Sequence, residues 1–270
     1  MIDLPLVSVI MPNYNYAKYL EKSIDSVLKQ SYSNIELIII DDASTDISAK
    51  ILIEEKAKDS RIKILVNNKN EGVVYCRNKG IEISKGEFLC FLDPDDIWLI
   101  NKVEIQVENL LAKQANLCFT DIDIIDGEDN LIKTRKHSFT SYTYKTLLKR
   151  NFVPHSSLMV KKELLGSLRY QEIPTSTFET WLMKKMGIKK IIHEDYVLLL
   201  NLFKNNSVKP IHINEALIWY RVHANNYSGN YLNKLFSLYC IYKNTQGFNV
   251  FVSIYYTIRL AYFASLKNIS

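Results

Sequence analysis

The feature that most constrains this chain is an alternation, across its first 120 residues, between apolar runs of strand length and segments with the period of a helix. The apolar runs cover residues 6–11, 35–40, 62–66, 87–92 and 117–120. The segments between them predict helices over residues 17–30, 48–58, 73–84 and 97–113. Strands and helices in alternation are typical of a parallel sheet with crossover helices. We therefore predict an α/β fold with a mostly parallel central sheet and helices on both faces.

After residue 120 the alternation is lost, and we interpret this half as an addition to the same sheet. The elements predicted here are a hairpin at residues 126–130, a short strand at 156–160, a helix from about residue 195 and a strand at 217–222. We expect one domain over residues 1–230, with halves 1–120 and 121–230. A basic amphipathic helical tail would follow over residues 231–270.

Composition favours a folded protein that is not exported. Of the 270 residues, 47% are hydrophobic, which is enough for a substantial core. The four cysteines stand far apart in the chain, so neither a disulfide framework nor a zinc site is indicated. The first residues lack the basic and apolar regions of a secretory signal. Together these features predict a cytoplasmic location.

The net charge of +5 is located entirely in the last part of the chain. Residues 1–215 carry 29 basic and 29 acidic side chains, whereas residues 216–270 carry five basic and no acidic ones. A nucleic-acid-binding surface would need basic residues clustered over the folded domain, so no nucleic-acid partner is predicted. A basic tail indicates instead a surface that carries anions, such as lipid headgroups.

Residues 248–266 form an apolar segment within this tail. The segment is nearly as long as a membrane span, but Arg259 inside it makes spanning costly. Tyr255, Tyr256, Tyr262 and Phe263 would suit a helix that lies in the membrane interface. The same aromatic side chains could equally close the core of the protein or form a homodimer contact. The sequence leaves these alternatives open.

An acidic cluster, Asp93-Pro94-Asp95-Asp96, follows the fourth apolar run. Loops at the carboxyl ends of parallel strands line the ligand crevice in sheets of this kind. Carboxylates this close repel one another unless a positive charge lies among them. Magnesium and manganese are suitable cations, since they bind one or two protein carboxylates together with phosphate oxygens. The alternative is that Asp95 and Asp96 cap the helix predicted from residue 97.

Other strand ends and a helix start carry candidate binding residues. Asp41 and Asp42 end the second apolar run, where a carboxylate could accept a hydrogen bond from a base or a ribose. The ring of Tyr14, after the first run, could stack on a base, and Arg77 could pair with a diphosphate. Each has an alternative. The loop after the second run could exist because Ser44 and Thr45 cap the helix that follows. Tyr14 could only pack in its loop, and Arg77 could lie on a solvated helix face.

Two carboxylates, Glu194 and Asp195, precede an apolar run at residues 196–200. A carboxylate at a helix N-terminus is held rigidly and can act as a general base. The macrodipole of the helix would also favour acidic residues in the first turn without any chemistry. Spacing alone does not decide between these two interpretations.

Four stretches of the first 110 residues resemble the family 2 inverting glycosyltransferases with the GT-A fold, in order and in spacing. They are VSVIMPNYN at residues 7–15, ELIIIDDASTD at 36–46, NEG at 70–72 with RNKG at 77–80, and GEFLCFLDPDDIW at 86–98. The resemblance is weaker at residues 155–159, 194–195, 214–217 and 220–223, and it extends to about residue 230. It implies a nucleotide-sugar-binding half over residues 1–120 and an acceptor-binding half over residues 121–230.

The resemblance implies roles for the donor-binding residues. Pro12, Tyr14 and Asp42 match positions that hold the nucleotide base, usually uracil. Arg77 falls in a motif near the donor diphosphate. Asp93 matches the first position of the DxD motif, which lies near the ribose or the metal.

The resemblance also implies a metal ligand and a catalytic base. Asp95 matches the metal ligand of the DxD motif, with Mn²⁺ or Mg²⁺ as the cofactor, and Asp96 is left to cap the following helix. Asp195 matches the base that takes the proton from the acceptor hydroxyl as its oxygen attacks the anomeric carbon with inversion. Glu194 would support Asp195. Residues 172–190 match no motif of the family, and they leave the acceptor open.

Taken as a whole, the resemblance implies an enzyme that moves a hexose or N-acetylhexosamine from a UDP-sugar to a sugar hydroxyl of a lipid-linked saccharide acceptor. We expect it to serve bacterial O-antigen or capsule synthesis as a peripheral protein at the inner face of the cell membrane. A nucleotidyltransferase or a dinucleotide oxidoreductase would need a glycine-rich loop after the first strand, and residues 12–15 contain no glycine. A non-catalytic sugar-binding protein would not need both the acidic cluster and Asp195.

Overall fold

The computed structural model describes residues 4–136, 139, 141–188, 193–204, 207–223 and 231–266. In chain order, its strands and helices are β1 (Val7–Asn13), α1 (Ala17–Leu28), β2 (Ile35–Asp41), α2 (Ser48–Lys58), β3 (Ile62–Val66), α3 (Val73–Ile83), β4 (Phe88–Phe91), β5 (Ile97–Trp98), α4 (Lys102–Ala112), β6 (Leu117–Ile125), β7 (Leu131–Arg135), α5 (Tyr144–Lys149), β8 (Met159–Lys161), α6 (Lys162–Leu165), α7 (Thr177–Met186), α8 (Glu194–Phe203), β9 (Pro210–Arg221), α9 (Tyr231–Cys240) and α10 (Val250–Leu266). A 3₁₀ turn at His155–Ser157 and a π-helical segment at Ile241–Thr245 complete the description.

The chain divides into two compact units, each assembled from segments that are discontinuous in sequence. The first unit comprises residues 1–139, 153–169 and 206–223. The second unit comprises residues 140–152, 170–205 and 224–270. All strands among the described residues belong to the first unit, and the second unit is helical.

The strands of the first unit form one sheet in the order β3-β2-β1-β4-β8-β6-β9-β5, with β7 paired to β6. The pairs β1–β2, β1–β4 and β2–β3 are parallel. Every residue of β1 and β2 is buried, as expected for parallel strands that are covered on both faces. Leu37 and Ile39 pack in a cluster with α1, α2 and α4, whereas Ile38 and Ile40 pack with Cys76 of α3. The predicted α/β fold with helices on both faces is confirmed.

The remaining strands make the sheet mixed. β8 pairs antiparallel with β4 and β6, and β6 pairs antiparallel with β7 and parallel with β9. The predicted hairpin is confirmed as the turn between β6 and β7, where the Asp126 carboxylate accepts hydrogen bonds from the backbone N–H groups of Glu128 and Asn130. The short strand predicted at residues 156–160 is found at Met159–Lys161, after the 3₁₀ turn.

The helix predicted from residue 97 is wrong at its start, because α4 begins at Lys102. Ile97 and Trp98 form β5, which pairs antiparallel with β9. The Trp98 side chain is buried, and its indole N–H donates to the Ser156 carbonyl oxygen at 3.0 Å. Tertiary packing of this one aromatic residue therefore overrides the local helical preference.

In the second unit, two buried tyrosines hold the helices together. The Tyr196 hydroxyl of α8 donates to the Leu147 carbonyl oxygen at 2.8 Å, and the Tyr242 hydroxyl donates to the Leu148 carbonyl oxygen at 2.8 Å. The two hydroxyl oxygens lie 2.9 Å apart. The ring of Tyr256 on α10 lies 5.5 Å from that of Tyr242. Part of the predicted tail is thus packed within this unit, and α8 begins at Glu194 as expected.

Candidate active site

The carboxyl ends of β1 and β2 lie side by side and are joined by polar side chains. Asn13 is in register with Asp41, and its side-chain amide donates to Asp41 Oδ1 at 2.6 Å. The Ser44 hydroxyl donates to the same oxygen at 2.6 Å. The alternative of a helix cap at Ser44 or Thr45 is wrong, since α2 begins at Ser48 after Ile47, without a side-chain cap. Ser44 instead shapes the loop that follows β2.

Asp42 organises the entrance to α3. Its Oδ1 accepts hydrogen bonds from the Asn67 amide at 2.7 Å and the Glu71 backbone N–H at 2.8 Å, and its Oδ2 accepts one from the Gly72 N–H at 2.8 Å. Gly72 has a φ of 91°, a conformation that glycine adopts readily and other residues rarely do. The Cys76 thiol is a further hydrogen-bonding partner of this carboxylate.

The loop after β1 presents Tyr14. The ring is 43% exposed, while Pro12, two residues earlier, is buried inside β1. The side-chain oxygen of Asn15 accepts a hydrogen bond from the Thr45 backbone N–H at 2.7 Å, which ties this loop to the loop after β2. An accessible aromatic ring on a fixed loop is suited to stacking on a flat ligand.

Arg77 and Asp93 form an ion pair beside the end of β4, in which Arg77 is buried and Asp93 is partly exposed. Arg77 Nη2 donates to Asp93 Oδ1 at 2.8 Å. Burial by itself would raise the pKa of Asp93, but the charge and the hydrogen bond of Arg77, together with His155, outweigh it and the pKa is lowered. Burial, followed by the same Arg77 charge, lowers the pKa of the nearby His155 to about 3. The pair is therefore ionised at neutral pH beside a neutral imidazole.

Asp95 points toward a histidine that follows β9. His223 Nε2 lies 3.0 Å from Asp95 Oδ2, and both side chains are largely buried. Burial and then the charge of Asp93 raise the pKa of Asp95 to about 6. Burial, followed by the charge of Asp95, also raises the pKa of the Tyr16 hydroxyl. These shifts mark a site with an excess of negative charge.

Asp96 does not cap a helix, and that prediction is wrong. Its Oδ2 accepts a hydrogen bond from the Ser156 hydroxyl, and its Oδ1 accepts one from the Arg221 backbone N–H at 3.0 Å. The residue is buried because β5, and not a helix, follows the cluster. Burial, followed by Asp95 and Asp93, raises its pKa well above the usual range. Asp96 thus links the cluster to β9 and to the 3₁₀ turn.

Arg221 at the end of β9 fixes the backbone of the same cluster. Its side chain is 1% exposed, and its Nε donates to the Asp95 carbonyl oxygen at 2.8 Å. Its Nη1 donates to the Asp126 carbonyl oxygen at 3.1 Å and to the Asp129 carboxylate. The guanidinium carbon lies 4.6 Å from the centre of the Tyr19 ring. Arg221 therefore couples the hairpin between β6 and β7 to the acidic cluster.

The residues at this cluster fit a divalent cation. Asp95 and His223 offer an oxygen and a nitrogen donor that face one another, with Asp93 close by. Within the described ranges, no three His, Cys, Asp or Glu side chains converge as a complete metal site. Magnesium and manganese sites that also hold a substrate phosphate commonly use only one or two protein carboxylates. The raised pKa of Asp95 is the shift that a neighbouring positive charge would reverse.

Comparison with known proteins identifies the family to which this site belongs. Residues 8–192 match the family model described as Glycosyl transferase family 2. The chain belongs to this family. An uncharacterized glycosyltransferase of Haemophilus influenzae is 32% identical over 266 residues, covering 98% of this chain and 99% of that protein. The resemblance read from the four sequence stretches is confirmed.

Two further comparisons concern a named activity and the fold. The Escherichia coli protein WfgD, a UDP-Glc:alpha-D-GlcNAc-diphosphoundecaprenol beta-1,3-glucosyltransferase, is 32% identical over 235 residues, which is 87% of this chain and 84% of that protein. The mannosyltransferase PcManGT of Pyrobaculum calidifontis, solved in complex with GDP-Man and Mn²⁺, matches with a TM-score of 0.63 and 16% identity, covering 96% of this chain and 70% of that one. The predicted GT-A fold is confirmed.

The proposed base of this glycosyltransferase belongs to the second unit. Glu194 and Asp195 form the first turn of α8, and both side chains are partly exposed. From Tyr196 to Leu200 every residue of the helix is buried. The two carboxylates therefore stand on a rigid element, and their predicted roles stay predictions.

Sequence analysis of the glycosyltransferase missed four residues that shape the cluster. His223 and Arg221 lie in a stretch that carried the resemblance, but no role could be given to them. Ser156 also lies in such a stretch and received no role, and Tyr16 gave no signal. Their parts depend on the pairing of β9 beside β6 and on the position of the 3₁₀ turn, which bring residues about 60 and 125 positions apart into hydrogen bonding.

Proposed function

We propose that this glycosyltransferase moves a hexose or N-acetylhexosamine from a UDP-sugar to a sugar hydroxyl of a lipid-linked saccharide, with inversion at the anomeric carbon. The observation that carries the proposal is the buried acidic cluster at the end of β4, where Asp95 faces His223 and Asp93 is paired with Arg77. The E. coli relative supports the donor and acceptor classes, since its name gives a UDP-sugar and a diphosphoundecaprenol-linked sugar. Bacterial O-antigen or capsule synthesis at the inner face of the cell membrane is the setting that we propose.

In this proposal the loops after β1 and β2 hold the nucleotide. The exposed Tyr14 ring stacks on uracil beside Pro12, and the Asp42 carboxylate accepts a hydrogen bond from a base N–H. Arg77 lies near the diphosphate and balances Asp93. Residues 1–120 then form the donor-binding half and residues 121–230 the acceptor-binding half.

Asp95, with His223 and Asp93, would hold Mn²⁺ or Mg²⁺ at the diphosphate. A bound cation there supplies stabilisation of the negative charge that develops on the leaving UDP. The Pyrobaculum mannosyltransferase, a protein of the same fold, was solved in complex with GDP-Man and Mn²⁺, which supports the choice of metal. Arg221 fixes the backbone of the cluster through a hydrogen bond to it, and Asp96 is bonded to β9.

Asp195 is the proposed general base. It takes the proton of the acceptor hydroxyl while the hydroxyl oxygen forms a bond to the anomeric carbon. The bond from that carbon to the diphosphate oxygen breaks in the same displacement, and UDP departs with the electron pair. Glu194 is the proposed supporting neighbour of Asp195 in the same helical turn, where the N-terminus of α8 favours carboxylates.

Release of UDP tests the proposal. The protein is incubated with several UDP-sugars, Mn²⁺ and short-chain lipid-linked saccharides, with and without a chelator, and free UDP and glycosylated acceptor are measured. We expect metal-dependent release of UDP that requires an acceptor. Asp25→Asn, at an exposed carboxylate of α1 that pairs with Lys29, is the control for substitutions of the proposed site carboxylates. It should leave the rate of UDP release unchanged. Absence of metal-dependent transfer with every donor would count against the proposal.

A further inference from the structure

α10 exposes its large apolar side chains and buries small or polar ones, which is the reverse of an ordinary surface helix. Its large apolar side chains at Phe251, Ile254, Tyr255, Ile258 and Tyr262 are between 43% and 84% exposed. Their spacing of three or four residues places them along one face. A helix of a globular protein normally turns such a face toward the core.

The opposite face of α10 buries small or polar side chains. Ser253, Thr257 and Ala261 are all buried. The Ser253 hydroxyl donates to the Asn249 carbonyl oxygen at 2.9 Å, and the Thr257 hydroxyl donates to the Ser253 carbonyl oxygen at 2.8 Å. Their hydrogen bonds are satisfied within the helix, so this face packs closely against the second unit and leaves the large apolar residues outside.

Neighbouring helices of the same unit extend the exposed apolar surface. Phe178, Trp181 and Met186 of α7 and Leu232 of α9 are between 36% and 66% exposed. A groove of about 400 Å³ runs among α7, α9 and α10, and almost all of the side chains that line it are apolar. Phe178, Met186 and Leu232 line this groove together with Ile254 and Ile258, so it is continuous with the exposed surface. We call these residues and the exposed face of α10 the apolar face.

The second unit also carries the positive charge of the protein. Its segments contain twelve Lys and Arg against four Asp and Glu, whereas the first unit contains 22 against 25. Lys184 and Lys185 are exposed on α7 beside the apolar face, and the Lys185 ammonium lies 5.6 Å from the centre of the Trp181 ring. Glu179, the acidic residue at the groove, is 1% exposed and bonded to Lys243. The surface is therefore apolar with a basic rim.

We propose that the apolar face docks the second unit onto a lipid bilayer that contains anionic lipids. Apolar and aromatic side chains enter the boundary between headgroups and acyl chains, and the basic rim pairs with lipid phosphates. A Trp and two Tyr side chains in this face combine an apolar ring with a polar group, which is the type of residue enriched at membrane interfaces. The proposal rests on the proposed function for its purpose, since a lipid-linked acceptor is held in such a bilayer.

Charge favours a bilayer over a second copy of the chain as the occupant. Two copies joined through this face would bring two strongly basic units together, and like charges oppose such contact. An anionic bilayer offers the complementary charge. Among the described residues no helix has the length and hydrophobicity to cross a membrane. Docking along the surface through several helices is consistent with that finding.

Cosedimentation of the full-length protein with vesicles tests the proposal. The vesicles contain phosphatidylcholine with phosphatidylglycerol, or phosphatidylcholine alone, and no saccharide or nucleotide. We expect binding to the mixed vesicles that weakens as salt is added. Phe251→Ser/Ile258→Ser should lower the partition coefficient at least about tenfold, because two exposed apolar side chains no longer enter the bilayer. Ile53→Ser/Ile100→Ser, at equally exposed residues of the first unit, is the matched control and should bind as the wild type does.

A second variant separates charge from hydrophobicity. Lys184→Gln/Lys185→Gln should lower binding to the mixed vesicles roughly tenfold and leave the weak binding to phosphatidylcholine unchanged. Thermal unfolding followed by circular dichroism verifies that each variant is folded. Wild-type protein that stays in solution with mixed vesicles would overturn the proposal, as would an equal loss in the matched control. Light scattering that shows a dimer, converted to a monomer by Phe251→Ser/Ile258→Ser without any vesicle binding, would assign the face to self-association instead.

The outcomes also distinguish this proposal from the proposed function. Protein that transfers sugar to a short-chain acceptor but binds no vesicles refutes only the docking. Protein that binds the mixed vesicles through the apolar face but releases no UDP with any donor and acceptor refutes only the transfer. The Phe251→Ser/Ile258→Ser variant, which lies outside the proposed acceptor-binding half, should retain the wild-type rate on the short-chain acceptor.

Discussion

The two units of this glycosyltransferase differ in their net charge and in whether charged or large apolar side chains are buried or exposed. The first unit is slightly acidic and buries charged residues such as Asp96 and Arg221 inside hydrogen-bonded networks. The second unit is strongly basic and exposes large apolar residues such as Phe251 and Trp181. A buried charge is tolerated only where its partners compensate the cost of its desolvation. A large apolar face at the surface marks a place where a partner or a membrane binds. The first unit therefore concentrates charge in an acidic cluster that fits a cation, and we infer that the second unit is organised to bind a surface.

The difference also shows in how each unit is stabilised. In the first unit, strands that are buried on both faces supply two apolar layers, one of them against α1, α2 and α4. In the second, buried polar contacts are central, among them the Tyr196–Tyr242 pair and the capping box in which Ser176 and Glu179 satisfy each other. Changes to single residues can sharpen or break this comparison, and we consider them from the largest expected effect to the smallest.

The largest effect is expected at the proposed base. Asp195→Asn should lower kcat about 10³-fold, since an amide cannot take the acceptor proton. Affinity for the UDP-sugar should change little, because the donor-binding residues belong to the first unit. Single-turnover transfer and calorimetric titration with UDP measure the two quantities. Loss of donor affinity together with activity would assign Asp195 to binding and contradict the division of labour between the units.

A smaller effect is expected at the cation site of the first unit. Asp95→Asn should weaken Mn²⁺-dependent binding of UDP by about 10- to 100-fold, and His223→Gln should act in the same direction. Binding measured in the presence of a chelator should be similar for the variants and the wild type. Asp25→Asn serves again as the control at an exposed carboxylate. Equal metal dependence in all of these proteins would remove Asp95 and His223 from the site.

Glu179 of the second unit is expected to make the free energy of unfolding depend on pH. Burial would raise its pKa, but hydrogen bonds from Lys243, the Ser176 N–H and Asn244 outweigh it and hold the pKa at about 2. A carboxyl group with a depressed folded pKa stabilises the protein above its unfolded pKa of about 4.5, and this contribution is lost as pH falls toward 2. Glu179→Gln should therefore lower the free energy of unfolding by about 2 kcal/mol at pH 7.

Urea unfolding at a series of pH values checks this prediction. The difference between wild type and Glu179→Gln should be constant from pH 7 to about 5 and should narrow below it. Lys243→Gln, which removes the largest stabilising partner of the carboxylate, should give a similar narrowing. A difference that stays constant at low pH would show that Glu179 acts through packing and not through its charge.

The parallel part of the fold could be predicted because the burial of its strands is visible in their amino-acid sequence. β1 and β2 are buried at every position, so they read as continuous apolar runs, and the carboxylates stand where those runs end. The site could be predicted only where it follows such a run. Asp95 was found in this way, whereas its partner His223 is 128 residues distant and is brought to it by the parallel pairing of β9 with β6. No local pattern encodes that pairing.

The errors have the same origin in tertiary contacts. The segment after Asp96 has helical period, yet Trp98 and its hydrogen bond to the Ser156 carbonyl hold it as β5. In α10 the apolar stripe was recognisable as amphipathic from sequence. Which side of it packs could not be predicted, because the small residues Ser253 and Thr257 carry no signal for burial.

The smallest effect is expected at the apolar face, and it tests whether that face is covered within the protein. Phe251→Ser should change the free energy of unfolding by no more than about 0.5 kcal/mol, since the side chain is 84% exposed. Leu199→Ala in α8 of the same unit removes a fully buried side chain and should cost about 2–5 kcal/mol. Urea unfolding at several protein concentrations measures both. A large cost for Phe251→Ser that grows with protein concentration would mean that a second copy covers the face. A small cost that does not change with protein concentration would show that burial of this apolar surface is not needed for folding. Burial of the surface would then require a partner outside the chain.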